Sequence, residues 1–253
     1  MTGIHFLDAR GPDGMRVYAI GDVHGRLDLL SAMHERIAAE LQRAEAEGGP
    51  ADWRIVHLGD YVDRGPDSKG VIDFLIAARR RDPRNIMLAG NHDIGFLDFL
   101  AEPLVDGLFA HNGGERTALS YGIDLDFSSM AALRPDHAAL VQAVPAAHVA
   151  FLGTLEFSVT LGDFFFCHAG IRPGIPLDRQ SPQDLVWIRE VFLYHAGLYP
   201  KVVVHGHTPQ PEAEVLANRV NVDTFACRSG RLTALAIDGA DKRILAVSDD
   251  GSF

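Results

Sequence analysis

The chain of 253 residues is 47% hydrophobic, which is ordinary for a globular protein and sufficient for a sizeable core. Its formal net charge of −11 argues against sequence-independent binding to nucleic acid, which depends on surplus Lys and Arg contacting phosphates. We find no apolar run of the roughly 20 residues that cross a membrane, and residues 1–14 lack a signal-peptide pattern. We therefore expect a cytoplasmic protein that binds neither nucleic acid nor membranes.

The first third of the chain alternates predicted strands and helices. Short apolar runs predict strands over 16–20, 54–58 and 85–89. A stripe of apolar residues predicts a helix over 27–46, and Asp67 or Ser68 can cap a second helix that ends near Arg80. This rhythm predicts parallel strands joined by right-handed crossovers. Polar residues that follow such strands collect at one edge of the sheet.

Between residues 97 and 151 the pattern changes to helical pieces. We expect Asn112-Gly113-Gly114, Tyr121-Gly122 and Pro135 to break them, and we interpret the segment as a mostly helical excursion that covers one side of a site. The histidines of this segment are expected to have surface or structural roles: His111, His137 and His148.

The second half of the chain is rich in predicted strands. Leu161-Gly162-Asp163 separates two apolar runs, which is typical of a hairpin. Further short strands are predicted over 202–204, 221–222, 232–237 and 244–247. The sequence therefore predicts an α/β fold of two packed β-sheets with outer helices.

Five short motifs place polar residues at or near the ends of predicted strands. They are Gly21-Asp22-Val23-His24-Gly25, Gly59-Asp60-Tyr61-Val62-Asp63-Arg64-Gly65, Gly90-Asn91-His92-Asp93, His168-Ala169-Gly170 and His205-Gly206-His207-Thr208. Six of their side chains are hard or borderline metal ligands: Asp22, His24, Asp60, Asn91, His168 and His207. Such a set suits a two-metal centre that cleaves phosphoesters. Taken singly, Asp22 could form a turn and Asn91 could cap a helix.

These motifs, in this order, resemble the signature series of the phosphoprotein phosphatase family of calcineurin-like metallophosphoesterases, especially its compact bacterial and phage members. The resemblance spans residues 21 to 208, and ligands drawn from so much of the chain predict a single domain over 1–253. It implies a sandwich of two mixed β-sheets flanked by helices. It also implies hydrolysis of phosphomonoesters by direct attack of a hydroxide that bridges two divalent metal ions. We expect Mn, although this ligand set also admits Fe or Zn.

The resemblance also implies roles for individual residues. Asp22, His24 and Asp60 would hold one cation. Asp60, Asn91, His168 and His207 would hold the second, with Asp60 bridging the two. The uncharged amide of Asn91 would keep the site positive, which favours a bound phosphate.

A second group of residues would handle the substrate. His92 resembles the family's general acid and Asp63 the carboxylate that supports it, with His92 as a plain ligand being the alternative. The guanidinium group of Arg64 would bind two phosphate oxygens in a bidentate manner. Arg189 lies in a stretch that resembles a later arginine-bearing segment of the family and would be a second clamp, unless it forms a surface salt bridge with Glu190.

Two departures from the family pattern point to different substrates. Asp93 stands where the protein phosphatases commonly carry glutamate, and in this it resembles the symmetrical dinucleoside tetraphosphatases. Those enzymes, however, generally lack the aspartate that Asp63 supplies. A serine or threonine alkoxide leaves poorly and needs the acid pair, so we expect phosphoserine or phosphothreonine in proteins as the substrate.

Two alternatives stay open beside this expectation. One is symmetrical hydrolysis of diadenosine tetraphosphate. The other is a metal-stapled regulatory domain that only binds phosphorylated partners, which is disfavoured because His92, Asp63 and Arg64 would be idle. Besides a phosphorylated protein or a small phosphoester, the sequence indicates no obligate partner.

Overall fold

The structure is a computed structural model that describes residues 3–50 and 52–251. In chain order its strands are β1 (Met15–Ile20), β2 (Asp52–His57), β3 (Asn85–Met87), β4 (Ser158–Leu161), β5 (Phe164–Cys167), β6 (Val202–His205), β7 (Glu214–Val215), β8 (Arg219–Asn221), β9 (Arg231–Asp238) and β10 (Asp241–Ser248). Its helices are α1 (Leu27–Ala46), α2 (Ser68–Arg81), α3 (Asn91–Ala101), α4 (Leu108–His111), α5 (Gly114–Ser120), α6 (Met130–Ala143), α7 (Ala146–Leu152), α8 (Pro182–Trp187), α9 (Glu190–Leu193) and α10 (Ala226–Ser229). A 3₁₀ turn covers Leu177–Arg179.

The first sheet has the spatial order β10-β9-β1-β2-β3. Its strands β1, β2 and β3 run parallel, which confirms the predicted parallel start. The late strand β9 pairs antiparallel with the other side of β1, and β10 pairs antiparallel with β9. The sheet is therefore mixed, and the segments that follow β1, β2 and β3 leave it at the same edge.

Helix α1 packs against this sheet through the apolar stripe that predicted it. Leu29, Leu30, Met33 and Ile37 are buried, and the bounds of the helix match the predicted 27–46. The next helix, α2, begins at Ser68 because the side chain of Asp67 accepts a hydrogen bond from the Gly70 N–H at 2.7 Å.

The segment after β3 is helical, as predicted, and comprises α3 to α7. The Asn112-Gly113 and Tyr121-Gly122 breaks coincide with the ends of α4 and α5. The prediction that Pro135 breaks a helix is wrong, because Pro135 lies inside α6. That helix survives the missing N–H because Leu133 and Leu140 are completely buried in the main core, and packing outweighs the lost hydrogen bond.

The second sheet has the order β4-β5-β6-β8-β7. The predicted hairpin is present: β4 and β5 pair antiparallel across a turn in which Gly162 has φ of 57°. Strands β5, β6 and β8 are parallel, and the two-residue β7, which the sequence did not predict, adds an antiparallel edge. Both sheets contribute to one apolar cluster, so they pack face to face as predicted.

Within residues 3–50 and 52–251, no helix combines the length and the apolar character that crossing a bilayer requires.

The contact of α1 with the first sheet generates a stability prediction. Leu30→Ala should lower the free energy of unfolding by about 2 to 5 kcal/mol, because the side chain is fully buried and a cavity would remain. Gln42→Ala, on the exposed side of the same helix, should change it by no more than about 0.5 kcal/mol. Urea titration followed by circular dichroism measures both, and equal effects would contradict the packing described.

Candidate active site

The six predicted metal ligands lie together beyond the strand ends of both sheets, and each is at most 4% exposed. Each follows the end of a strand, as predicted. Asp22 and His24 follow β1, Asp60 follows β2, Asn91 begins α3 after β3, His168 follows β5, and His207 follows β6. The parallel strands of both sheets thus deliver all six side chains to one place.

Two groups of these side chains could each hold a cation. His24, Asp60 and His92 form one, and Asp60, His168 and His207 form the other, with ligand atoms within 4.8 Å of one another in each. Asp60 belongs to both groups, as the predicted bridge requires. The first group contains His92 where the resemblance implied Asp22.

Asp22 lies beside the second group rather than in the first. Its carboxylate accepts a hydrogen bond from the backbone N–H of His207 at 3.1 Å. This close approach depends on Gly206, because a Cβ at that position would lie 2.0 Å from Asp22 Oδ1. The assignment of Asp22 to a cation stays a prediction.

Backbone carbonyls fix the orientation of two imidazoles. His24 Nδ1 donates to the Val62 carbonyl at 2.8 Å, and His168 Nδ1 donates to the Leu58 carbonyl at 2.9 Å. Burial lowers the pKa of His24 to about 3 and also lowers the pKa of His168. Both rings are therefore neutral near pH 7, and both Nε2 atoms carry a lone pair.

Those lone pairs face other acceptors. His24 Nε2 lies 3.5 Å from Asp60 Oδ2, and His168 Nε2 lies 3.4 Å from Asp60 Oδ1 and 3.0 Å from Asn91 Oδ1. Acceptors this close and this deeply buried repel one another unless a cation lies between them. The donor set of nitrogen, carboxylate and amide oxygen therefore fits divalent metal ions.

The buried carboxylates of the site also favour a bound cation. Burial opposes ionisation of Asp60, but the imidazoles of His168, His92 and His24 hold its pKa below the usual value. Burial raises the pKa of Asp22, and the negative charges of Asp223 and Asp60 raise it further. Asp223 was not among the predicted ligands, although Asp223 follows the apolar end of a strand just as Asp22 does.

His92 and Asp63 form the contact expected of an acid and its support. His92 Nδ1 donates to Asp63 Oδ2 at 2.7 Å, and Thr117 Oγ1 donates to Asp63 Oδ1 at 2.7 Å. Burial works to lower the pKa of His92, but the charges of Asp60 and Asp63 outweigh it and raise the pKa. Thr117, on α5, was not predicted, because nothing in its local sequence marks it.

Both predicted phosphate-binding arginines reach the site, and each donates to an imidazole. Arg64 Nη2 lies 2.9 Å from His92 Nε2, and Arg189 Nε lies 2.9 Å from His207 Nε2. Among the described residues, Arg189 forms no ion pair with Glu190, which was the alternative for it. The two guanidinium groups place positive charge at an otherwise acidic centre.

Asp93 has a structural role that the sequence did not reveal. Its carboxylate accepts hydrogen bonds from the backbone N–H groups of Asp60, Tyr61 and Gly90, each at 2.9 Å. It therefore ties the loop after β2 to the loop after β3. This role explains an acid at position 93 without reference to the substrate.

Backbone strain is concentrated at the same place. Within residues 3–50 and 52–251, the non-glycine residues with φ in the left-handed region are His24, Asp60, Asp63, Arg64, His207 and Phe225. Five are predicted site residues, and the sixth lies under the Arg64 guanidinium at 5.7 Å. Such conformations cost on the order of 1 kcal/mol each and persist where surrounding contacts enforce them.

Three other histidines pack against protein groups, and for His137 and His148 this is the structural role that the sequence predicted. His137 Nε2 lies 2.9 Å from the Phe99 carbonyl, and His148 Nε2 lies 2.9 Å from Asp73. His205 is fully buried, with its Nε2 3.3 Å from Arg219.

Comparison with known proteins gives the family. The family model of calcineurin-like phosphoesterases matches residues 15–236. The chain belongs to the calcineurin-like phosphoesterase family. It is therefore a hydrolase of a family that uses divalent metals, and the sequence-based recognition is confirmed.

Several individual proteins are similar over nearly their whole length. The asymmetrical bis(5′-nucleosyl)-tetraphosphatase PrpE of Anoxybacillus flavithermus is 23% identical over 240 residues, which cover 85% of this chain and 88% of the relative. A crystal structure of a protein provisionally named a diadenosine tetraphosphatase covers 93% of this chain and 95% of its own, with a TM-score of 0.63 and 20% identity. The structure of a protein serine/threonine phosphatase of Saccharomyces cerevisiae covers 95% of this chain and 84% of its own, with a TM-score of 0.59 and 13% identity. The two structures show the shared fold.

The sharing of Asp60 generates a prediction about metal content. Wild-type protein dialysed against Mn²⁺ should hold two ions per chain, and Asp60→Asn should lose most of both, because both ligand groups use this carboxylate. Asp124→Asn, at an exposed position, serves as the matched control and should keep the wild-type content. Elemental analysis measures the ions. Unchanged content in Asp60→Asn, or full hydrolysis by chelated protein, would refute a shared two-metal centre.

Proposed function

We propose that this metallophosphoesterase hydrolyses phosphomonoesters whose alcohol leaving group needs a proton, with phosphoserine and phosphothreonine in proteins as its substrates. The observation that supports this proposal is the 2.7 Å contact between His92 and Asp63, beside the shared ligand Asp60. A carboxylate on one imidazole nitrogen favours the protonated ring and orients the other nitrogen. An alkoxide requires such an acid more than a stabilised leaving group does.

The proposed centre holds two divalent ions on Asp22, His24, Asp60, Asn91, His168 and His207, with Mn as the first choice. When bound, such ions polarise the phosphate and activate water for attack on phosphorus. Asn91 contributes an oxygen without a charge, which leaves more of the metal charge for the phosphate.

The protein's own side chains would carry out the remaining steps. Arg64 and Arg189 would turn from the imidazoles they now contact and bind the non-bridging phosphate oxygens in a bidentate manner. Release of Arg64 would free His92 Nε2 to hold a proton and pass it to the departing oxygen. Asp63, held in turn by Thr117, would stabilise the charged ring.

A pair of substrates tests the acid role. His92→Asn should slow an alkyl phosphate by about 10² to 10⁴-fold and an aryl phosphate far less, because the aryl leaving group hardly needs the proton. Asp63→Asn should show the same bias more weakly. Steady-state kcat/KM for both esters, together with metal content, gives the result. Equal losses on the two esters, or loss of an ion, would show that His92 is a ligand instead.

Dinucleoside tetraphosphates are a second candidate substrate. The supporting observation is the name of a relative that is similar over 85% of this chain, the asymmetrical tetraphosphatase PrpE. That name favours asymmetrical cleavage over the symmetrical cleavage that the sequence suggested. In either case the leaving group is a nucleotide anion, which needs the acid pair less.

One comparison separates the two candidates. We expect kcat/KM for a phosphothreonine peptide to exceed that for diadenosine tetraphosphate in the same Mn²⁺ buffer. Chromatography of the nucleotide products distinguishes ATP plus AMP from two ADP. A preference of about a hundredfold or more for the dinucleotide would decide for the second candidate, since it corresponds to about 2.7 kcal/mol of transition-state binding.

A further inference from the structure

A cavity of about 260 Å³ opens directly beside Asn91. Its walls come from α3, α4 and the loop between them, and Gln183 and Trp187 of α8 close the remaining side. The lining is mainly apolar, with contributions from Ile94, Phe99 and Leu108. One end of the cavity therefore meets the candidate metal site, and the rest of it is large enough for one small organic group.

Trp187 connects the cavity to the metal site. Its ring meets the His207 ring edge to face, with 5.9 Å between the centroids, and 36% of the residue is exposed. Leu104, on the opposite wall, is 52% exposed. Large apolar side chains left open beside a reaction centre suit a planar, weakly polar part of a substrate.

Two carboxylates select what can enter. Asp98, on α3, and Glu102, directly after it, line the cavity four residues apart. Both are exposed, and neither pairs with a cation in the described part of the chain. They would repel phosphate, and the two arginines expected to bind it, Arg64 and Arg189, are not among the residues that line the cavity. They accept hydrogen bonds from hydroxyl and amino groups. The cavity thus suits an uncharged aromatic group that carries such donors.

We propose that this cavity binds the nucleoside of a nucleotide substrate, with the base packed on Trp187 and its amino group or the ribose hydroxyls donating to Asp98 and Glu102. The inference rests on the phosphoesterase function proposed above and concerns the second of its candidate substrate classes. A purine nucleoside has a planar base, carries no charge and offers amino and hydroxyl donors, and the 5′ phosphate of the nucleotide would lie toward Asn91.

Fluorescence can test occupancy directly, because the chain has two tryptophans. Trp53→Phe removes the one outside the cavity and leaves Trp187 as the reporter. In Mn²⁺-loaded Trp53→Phe protein, adenosine should quench the emission and should compete with hydrolysis of p-nitrophenyl phosphate. AMP should inhibit at least about tenfold more strongly than ribose 5-phosphate, which lacks the base.

Variants of the cavity provide the second test. Trp187→Ala should raise the inhibition constant of adenosine roughly five- to hundredfold, whereas Trp187→Phe, which keeps a ring, should retain most of the affinity. The double variant Asp98→Asn with Glu102→Gln changes only exposed positions and should also weaken adenosine. Inorganic phosphate, measured as an inhibitor in each variant, controls for damage to the metal site.

Two results would overturn the inference. One is that adenosine neither inhibits the hydrolysis of p-nitrophenyl phosphate nor quenches the emission of Trp187. The other is an equal loss of affinity for phosphate and adenosine in Trp187→Ala, which would make Trp187 a support for His207. Absence of all phosphoester hydrolysis in metal-loaded protein would instead refute the proposed function, while the quenching experiment would still report on the cavity.

Discussion

The buried carboxylate of Asp60 is the group on which the rest of the site depends. It lies within 4 Å of the imidazoles of His24, His92 and His168, and it belongs to both groups that could hold a cation. Two backbone hydrogen bonds fix its position: the Asp60 N–H donates to the Asp93 carboxylate, and the His92 N–H donates to Asp60 Oδ1. Because several hydrogen-bond acceptors converge on this carboxylate, this part of the fold is suited to hold a positively charged ion.

The helical segment from α3 to α7 contributes to both the His92–Asp63 pair and the cavity beside Asn91. Helix α5 brings Thr117 to Asp63 and so steadies the support of the predicted acid. Helices α3 and α4 of the same segment form most of the cavity beside Asn91. A change in how this segment packs would therefore disturb the Asp63 contact and the shape of the cavity together. Substrate specificity on a shared fold commonly depends on connecting segments of this kind.

The sequence predicted what depends on local signals. Each metal-ligand candidate follows an apolar run and adjoins a small residue, so strand ends and motifs located them, and the stripe of α1 gave its bounds. Contacts that join distant segments were not predictable in this way. Thr117 reaches Asp63 across 54 residues, and Asp93 acts through backbone N–H groups that no pattern displays. The prediction for Pro135 was wrong because the lost hydrogen bond costs less free energy than the burial of Leu133 and Leu140 on the same helix contributes.

The position of β1 has a consequence for how the chain is made. This strand lies between β2 and β9, so its second edge has no partner until Asp238 has been synthesised. Asp22 and His207 are separated by 185 residues, so the complete set of ligands also assembles late. A nascent chain therefore exposes an open strand edge and a partial set of acidic ligands for most of its synthesis. A cation that needs both ligand groups would bind only after His207 has been translated, and until β9 forms the open edge of β1 can pair with another chain.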